Sequence, residues 1–185
     1  MSKQLFFIAL LPPIEIQEQV TTIKQYFAEV YDSKAALKSP PHITLQPPFN
    51  WEVERLGELK AILERFVRKQ VAFSVNLDGF AVFAPRVIYV DVEHTESLLN
   101  IQKALMNELE SELGIVHRVA KTRPFTPHMT VGFKDLSKEN FQRAWAEFET
   151  KEFRANFQAS ELTLLQFDQI EQKKWLIEAT LPFSE

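Results

Sequence analysis

The rhythm of apolar positions changes along the chain, and each change predicts an element. Leu5–Leu11 is an unbroken apolar run, "LFFIALL", stopped by Pro12 and Pro13, as expected of a strand buried on both faces. From Ile14 to Tyr31 the rhythm becomes helical, with Ile16, Val20, Ile23 and Phe27 on one side. Residues 32–41 read as a loop ending in Ser39-Pro40-Pro41. A strand starting at His42 follows, then a second proline pair, Pro47-Pro48. Val53 to Lys69 returns to helical spacing through Leu56, Leu59, Ile62, Leu63 and Phe66. Residues 71–83 alternate roughly, as a strand with a kink near Gly79 would.

After a turn at Ala84-Pro85-Arg86, "VIYVDV" (87–92) is strongly β-prone. Thr95 reads as the N-cap of a helix from Glu96 to about Leu113, closed by Gly114. Residues 115–127 form a basic connector, with a short strand expected at 115–120. A strand from His128 comes next. Ser137 then caps a helix to about Phe148, and strands near 153–157, 160–168 and 174–183 end the chain.

This order repeats. Strand, helix, strand, helix and strand fill residues 5–83, and the same series fills 87–168. The first strands start 82 residues apart (87 − 5) and the first helices 82 apart (96 − 14). Mostly hairpin-like strands interspersed with helices predict an α+β fold. We expect residues 1–185 to form a single bilobal domain, its two lobes related by a pseudo-twofold axis and the last strand added at 174–183. Each lobe should hold a largely antiparallel sheet flanked by helices.

The second strand of each series carries the same polar signature. "PPHITLQPPF" (40–49) and "TPHMTVGF" (126–133) share Pro-His-x-Thr, with the histidines 86 residues apart (128 − 42). On a strand, residues two apart share a face. His42 and Thr44 therefore lie opposite Ile43 and Leu45, and His128 and Thr130 opposite Met129 and Val131. Pro41 and Pro127 suit strand starts, where no ladder donor is needed. Composition alone gives two such motifs odds on the order of 1 in 10⁴ to 10⁵.

If the lobes are symmetric, the two polar faces converge on one central cleft. Two imidazoles suit proton transfer at both ends of an in-line displacement at phosphorus, since neutral and protonated forms coexist near neutral pH. The two threonine hydroxyls can donate to non-bridging phosphate oxygens. This scheme requires no metal and no cofactor. The four histidines show no metal-ligand spacing. His94 should be solvated, and His117 lies in the basic connector.

Composition narrows the picture further. The chain has 185 residues, 16 Phe, no Cys and a net charge of −4. The absence of cysteine removes disulfides, thiolate metal sites and thiol nucleophiles. A net negative charge argues against a protein that wraps a long duplex, and leaves a small nucleotide or an RNA end as partner. No apolar run approaches membrane-spanning length. The run at Leu5–Leu11 lacks a following small-residue cleavage site, so it reads as a strand and not as a secretory signal. A cytoplasmic location is expected. Oligomeric state is not indicated.

At "PPHITLQPPF", "FAPRVIYVDVE" and "TPHMTVGF" the chain resembles the 2H phosphoesterase superfamily, which includes bacterial 2′-5′ RNA ligases and 2′,3′-cyclic phosphodiesterases. It looks most like the YjcG-type candidate phosphoesterases. The resemblance spans essentially the whole chain. It implies a bilobal fold with a cleft between the lobes. It also implies metal-independent hydrolysis or transfer at a cyclic or diester phosphate, with His42 and His128 catalytic and Thr44 and Thr130 on the phosphate. One departure stands out. Many of the family's bacterial cyclic phosphodiesterases carry an Arg soon after the second motif, where this chain has Phe133 followed by Lys134.

Cations and aromatics near the motifs complete the candidate site. Arg86, Lys121, Arg123 and Lys134 could meet phosphate, and Phe49 and Phe83 could stack a base, although core packing or solvated charge would explain each as well. The leading expectation is a phosphoric diester hydrolase acting on a cyclic nucleotide phosphate, a 2′-5′ linkage or a small RNA end. The alternatives are a non-catalytic nucleotide or RNA-end binder using the same cleft, and an interaction protein built on this scaffold.

Overall fold

The computed structural model describes residues 2–184. It holds two antiparallel sheets of four strands and four α-helices, an α+β architecture. In chain order these are β1 (Lys3–Leu10), α1 (Ile14–Val30), β2 (Ile43–Glu52), α2 (Leu56–Val67), β3 (Phe73–Phe83) and β4 (Val87–Val92). Then come α3 (Glu96–Leu113), β5 (His128–Gly132), α4 (Lys138–Phe148), β6 (Arg154–Ala159), β7 (Glu161–Phe167) and β8 (Trp175–Pro182).

One sheet runs β2-β1-β7-β8 and the other β5-β4-β3-β6. Each therefore takes strands from both halves of the sequence: β3 crosses to pair with β4, and β7 returns to pair with β1. The helices cross over too, with α1 packing on β5 and α3 on β2. The two motif strands are sheet edges, and they adjoin at the middle of the molecule.

A single large apolar cluster ties the lobes together. It takes Phe6, Ile8 and Leu10 from β1, Ile43 and Leu45 from β2, Met129 and Val131 from β5, and the inner stripes of all four helices. Burying these alternate residues leaves Phe7, Ala9, His42, Thr44, His128 and Thr130 on the opposite sheet faces. There Phe7, Ala9 and Leu165 form a second, smaller apolar cluster with Leu11 and Trp175.

Several local signals act as the sequence implies. Thr95 Oγ1 accepts from Leu98 N, and Ser137 Oγ from Asn140 N, which caps α3 and α4. Gly114 ends α3 at φ 67°, in the left-handed region where glycine carries no Cβ penalty. Gly79, at φ 71°, sits where the β3–β4 register slips between Leu77 and Phe80.

One reading needs correction. Residues 115–120 form no strand; Arg118–Lys121 is a 3₁₀ turn, and the segment pairs with neither sheet. Pro47-Pro48 lies within the first motif strand, since β2 continues to Glu52. An edge strand tolerates missing donors, and the prolines fall in a register slip between Gln46↔Ile8 and Phe49↔Phe6. Among the described residues no helix is long and apolar enough to cross a membrane.

Candidate active site

Each motif histidine is anchored by its own strand entry. His42 Nδ1 lies 2.7 Å from Pro40 O, and His128 Nδ1 lies 2.7 Å from Thr126 O. A carbonyl only accepts, so Nδ1 of each ring carries the hydrogen. Nε2 is then the nitrogen that gains or loses a proton. The same two-residue loopback at both sites follows from the X-Pro-His sequence, because proline holds the preceding residue extended. Neither threonine hydroxyl hydrogen-bonds within the protein among the described residues, so both stay available to a ligand.

Aromatic rings flank each imidazole. Phe7 sits 4.7 Å from His42 between centroids, and Trp175 packs edge-on against Phe7 at 4.5 Å. Phe83 meets His128 edge-on at 4.9 Å, and Tyr89 lies 5.3 Å away. This apolar packing disfavours the charged ring. Burial, assisted by the nearby charge of Lys24, pushes His42 down to about 4, despite the opposing pull of the Pro40 carbonyl. The charge of His128 adds to that depression, so the two rings sense one another. Burial also lowers His128, against the pull of the Thr126 carbonyl.

A cavity of about 770 Å³ joins the two motifs. Thr44 of the first and His128 of the second both line it, together with Phe83, the α3 face at Gln102 and Met106, and the connector. Within that connector, Lys121, Arg123 and His117 border the cavity. Lys121 is bound to Glu110 at 2.5 Å, which offsets much of its charge.

Three other expected residues stand elsewhere. Arg86 is exposed one tight turn from Phe83 and does not line the cavity. Lys134 is exposed beyond the far end of β5, at φ 62°, because the strand carries the chain away from His128. Phe49 packs on its cross-strand partner Phe6, against the main core. It is not a stacking platform. Of the two aromatics, Phe83 alone remains at the cavity.

The sequence reading passed over Lys24, which is 2% exposed on α1 and donates to Ser39 O at 3.0 Å. Its signal was present: Ile16, Val20 and Lys24 fall at successive four-residue steps on the buried face. Tyr89 and Trp175 were also missed, since β-strands full of aromatics do not reveal which ones border a cleft. Among the described residues, no group of three His, Cys, Asp or Glu side chains is arranged to hold a metal ion.

With the geometry established, comparison with known proteins identifies the lineage. Residues 12–171 match the 2′-5′ RNA ligase superfamily. A candidate phosphoesterase of Oceanobacillus iheyensis is 25% identical over 175 residues, covering 94% of each chain. The RNA 2′,3′-cyclic phosphodiesterase of Thermotoga maritima is 29% identical, covering 68% of this chain and 67% of that protein. Among solved structures, E. coli LigT complexed with 3′-AMP superposes with a TM-score of 0.71 at 18% identity over the full length of both chains. The chain belongs to the 2′-5′ RNA ligase superfamily, whose bilobal fold it shares.

Proposed function

From that membership we propose that the protein is a metal-independent phosphoesterase. Its substrate is a cyclic nucleotide phosphate, a 2′-5′ linkage or the end of a small RNA. The observation that carries this reading is the matched pair of clamped imidazoles, each with Nε2 left to move a proton, on strands that meet at one cavity.

In the proposed reaction one neutral imidazole takes a proton from water as the water oxygen attacks phosphorus. The other, protonated, gives a proton to the leaving ribose oxygen as its bond to phosphorus breaks. Thr44 and Thr130 donate to the non-bridging oxygens, where negative charge grows in the transition state. Burial lowers the proton affinity of both histidines. An arriving anionic phosphate offsets that depression and lets one ring hold the proton needed for the acid role. Phe83 and the apolar wall around Met106 suit a nucleobase. Relatives bearing small nucleotides, such as LigT with 3′-AMP, agree with a ligand of that size.

The test is hydrolysis of 2′,3′-cyclic nucleotides and 2′-5′ dinucleotides in the presence of EDTA. Turnover that persists in EDTA with a bell-shaped pH profile is expected. Strict dependence on added metal, or no turnover of any member of the panel, refutes the reading.

A further inference from the structure

A second cavity, of about 220 Å³, lies beside the loop that leads into His42. Thr21 and Lys24 of α1, the Leu37–Pro40 segment, and Lys174 and Trp175 at the start of β8 line it. Its wall is continuous with the catalytic residue. Lys24 donates to Ser39 O, Pro40 O accepts from His42, and Trp175 reaches the His42 ring through Phe7.

The cavity is the twin of the larger one, with its polarity changed. Both lie between the first helix of a half and the loop entering its motif. Ser39 and Pro40 precede His42 as Phe125 and Thr126 precede His128. Counting by the 82-residue offset of the helix starts (96 − 14), Lys24 corresponds to Met106 and Thr21 to Lys103. The larger cavity thus presents a thioether where the smaller one presents a buried amine.

Charge is the decisive feature. Lys24, Lys38 and Lys174 all border this small space, and no carboxylate lines it. None of the three makes an ion pair among the described residues, although the chain as a whole carries a net charge of −4. Lys24 is 2% exposed, so its amine is held there at a desolvation cost that only one backbone carbonyl offsets. A purely structural position would favour an apolar side chain, as the twin has.

We propose that this cavity binds a second phosphate of the substrate, one that is not cleaved, through Lys24, Lys38 and Lys174. The Thr21 hydroxyl supplies a further donor, and Trp175 offers an apolar wall for the adjoining sugar or base. A substrate with phosphates at two positions, a nucleoside bisphosphate or an internal stretch of RNA, then reaches from one cavity to the other along the first motif. The phosphoesterase reading supplies the ligand class on which this rests.

Equilibrium binding tests it independently of turnover. Adenosine 3′-monophosphate, adenosine 3′,5′-bisphosphate and inorganic phosphate are titrated calorimetrically into the full chain and into a Lys38→Gln/Lys174→Gln double variant. Two charge-assisted contacts predict that the wild type prefers the bisphosphate over the monophosphate by about ten- to a hundredfold. The double variant should lose that preference and keep its affinity for the monophosphate. Inorganic phosphate should lose one binding event in the variant, a result that reports the cavity even if the cleft chemistry has been misread. A preference that is absent from the wild type, or that survives in the variant, overturns the proposal. Phosphate binding at the lysines with no bisphosphate preference overturns the assignment to the substrate.

Discussion

Replacing Lys24 by Met should make the protein more stable and less capable. Burial holds Lys24 down from its ordinary 10.5 to about 7. Over the unfolded chain, that displacement is worth about 5 kcal/mol at low pH and about 4 kcal/mol at pH 7. Methionine also gives up the hydrogen bond to Ser39 O, at about 1–1.5 kcal/mol. The balance is a gain of about 3 kcal/mol at pH 7. The sign of the pH dependence follows from the lowered value. Between pH 7 and 10.5 the unfolded chain binds the Lys24 proton more readily than the folded one, so the wild type loses stability as pH falls through that range. The variant lacks this loss, and its advantage should vanish near pH 9.5 and turn into a slight deficit by pH 10.5. Urea denaturation at pH 7, 9 and 10.5 measures the gap. A variant less stable than the wild type at pH 7, or a gap that does not change with pH, would refute the argument. The same change removes a positive charge that lowers His42, so the acidic limb of the activity profile should move to higher pH.

His42 should remain neutral in the folded protein until about pH 4, so NMR titration should find it well below the usual 6.5. Because the folded pKa is the lower one, stability should fall by about 2–3 kcal/mol between pH 7 and 4.5 on its account, and His42→Gln should flatten that slope. Gly132→Ala should destabilise by about 1–3 kcal/mol in thermal or urea melts, because a Cβ there would sit 2.6 Å from Phe27 Cδ1 and Phe27 is fully buried.

The periodicity of the sequence carries most of the fold. Apolar alternation at Ile43/Leu45 and Met129/Val131 alone implies where His42, Thr44, His128 and Thr130 point, and the caps at Thr95, Ser137 and Gly114 fix helix limits. The exchange of β3 and β7 between sheets was not legible, since pairing partners are chosen by tertiary packing and not by local pattern. The same limit explains Arg86 and Lys134. Both are near a motif in sequence, but a tight turn and the length of β5 set the distance in space. Lys24 was overlooked because a lysine in an apolar stripe is ordinarily assumed to reach solvent, and this one instead meets the loop that carries His42. Phe49 was not legible from parity, because the register slip between Gln46 and Phe49 interrupts the alternation.

The central claim is that His42 and His128 act as one proton-transfer pair. The most direct measurement is kcat/KM on a 2′,3′-cyclic nucleotide for His42→Ala, His128→Ala and the double variant, at the pH optimum and with EDTA present. Groups that work as a unit are not additive, and each general acid or base contributes about 10²–10⁴-fold. The account predicts losses in that range for either single variant and little further loss in the double. A single variant with full activity, or losses that multiply in the double, would contradict it.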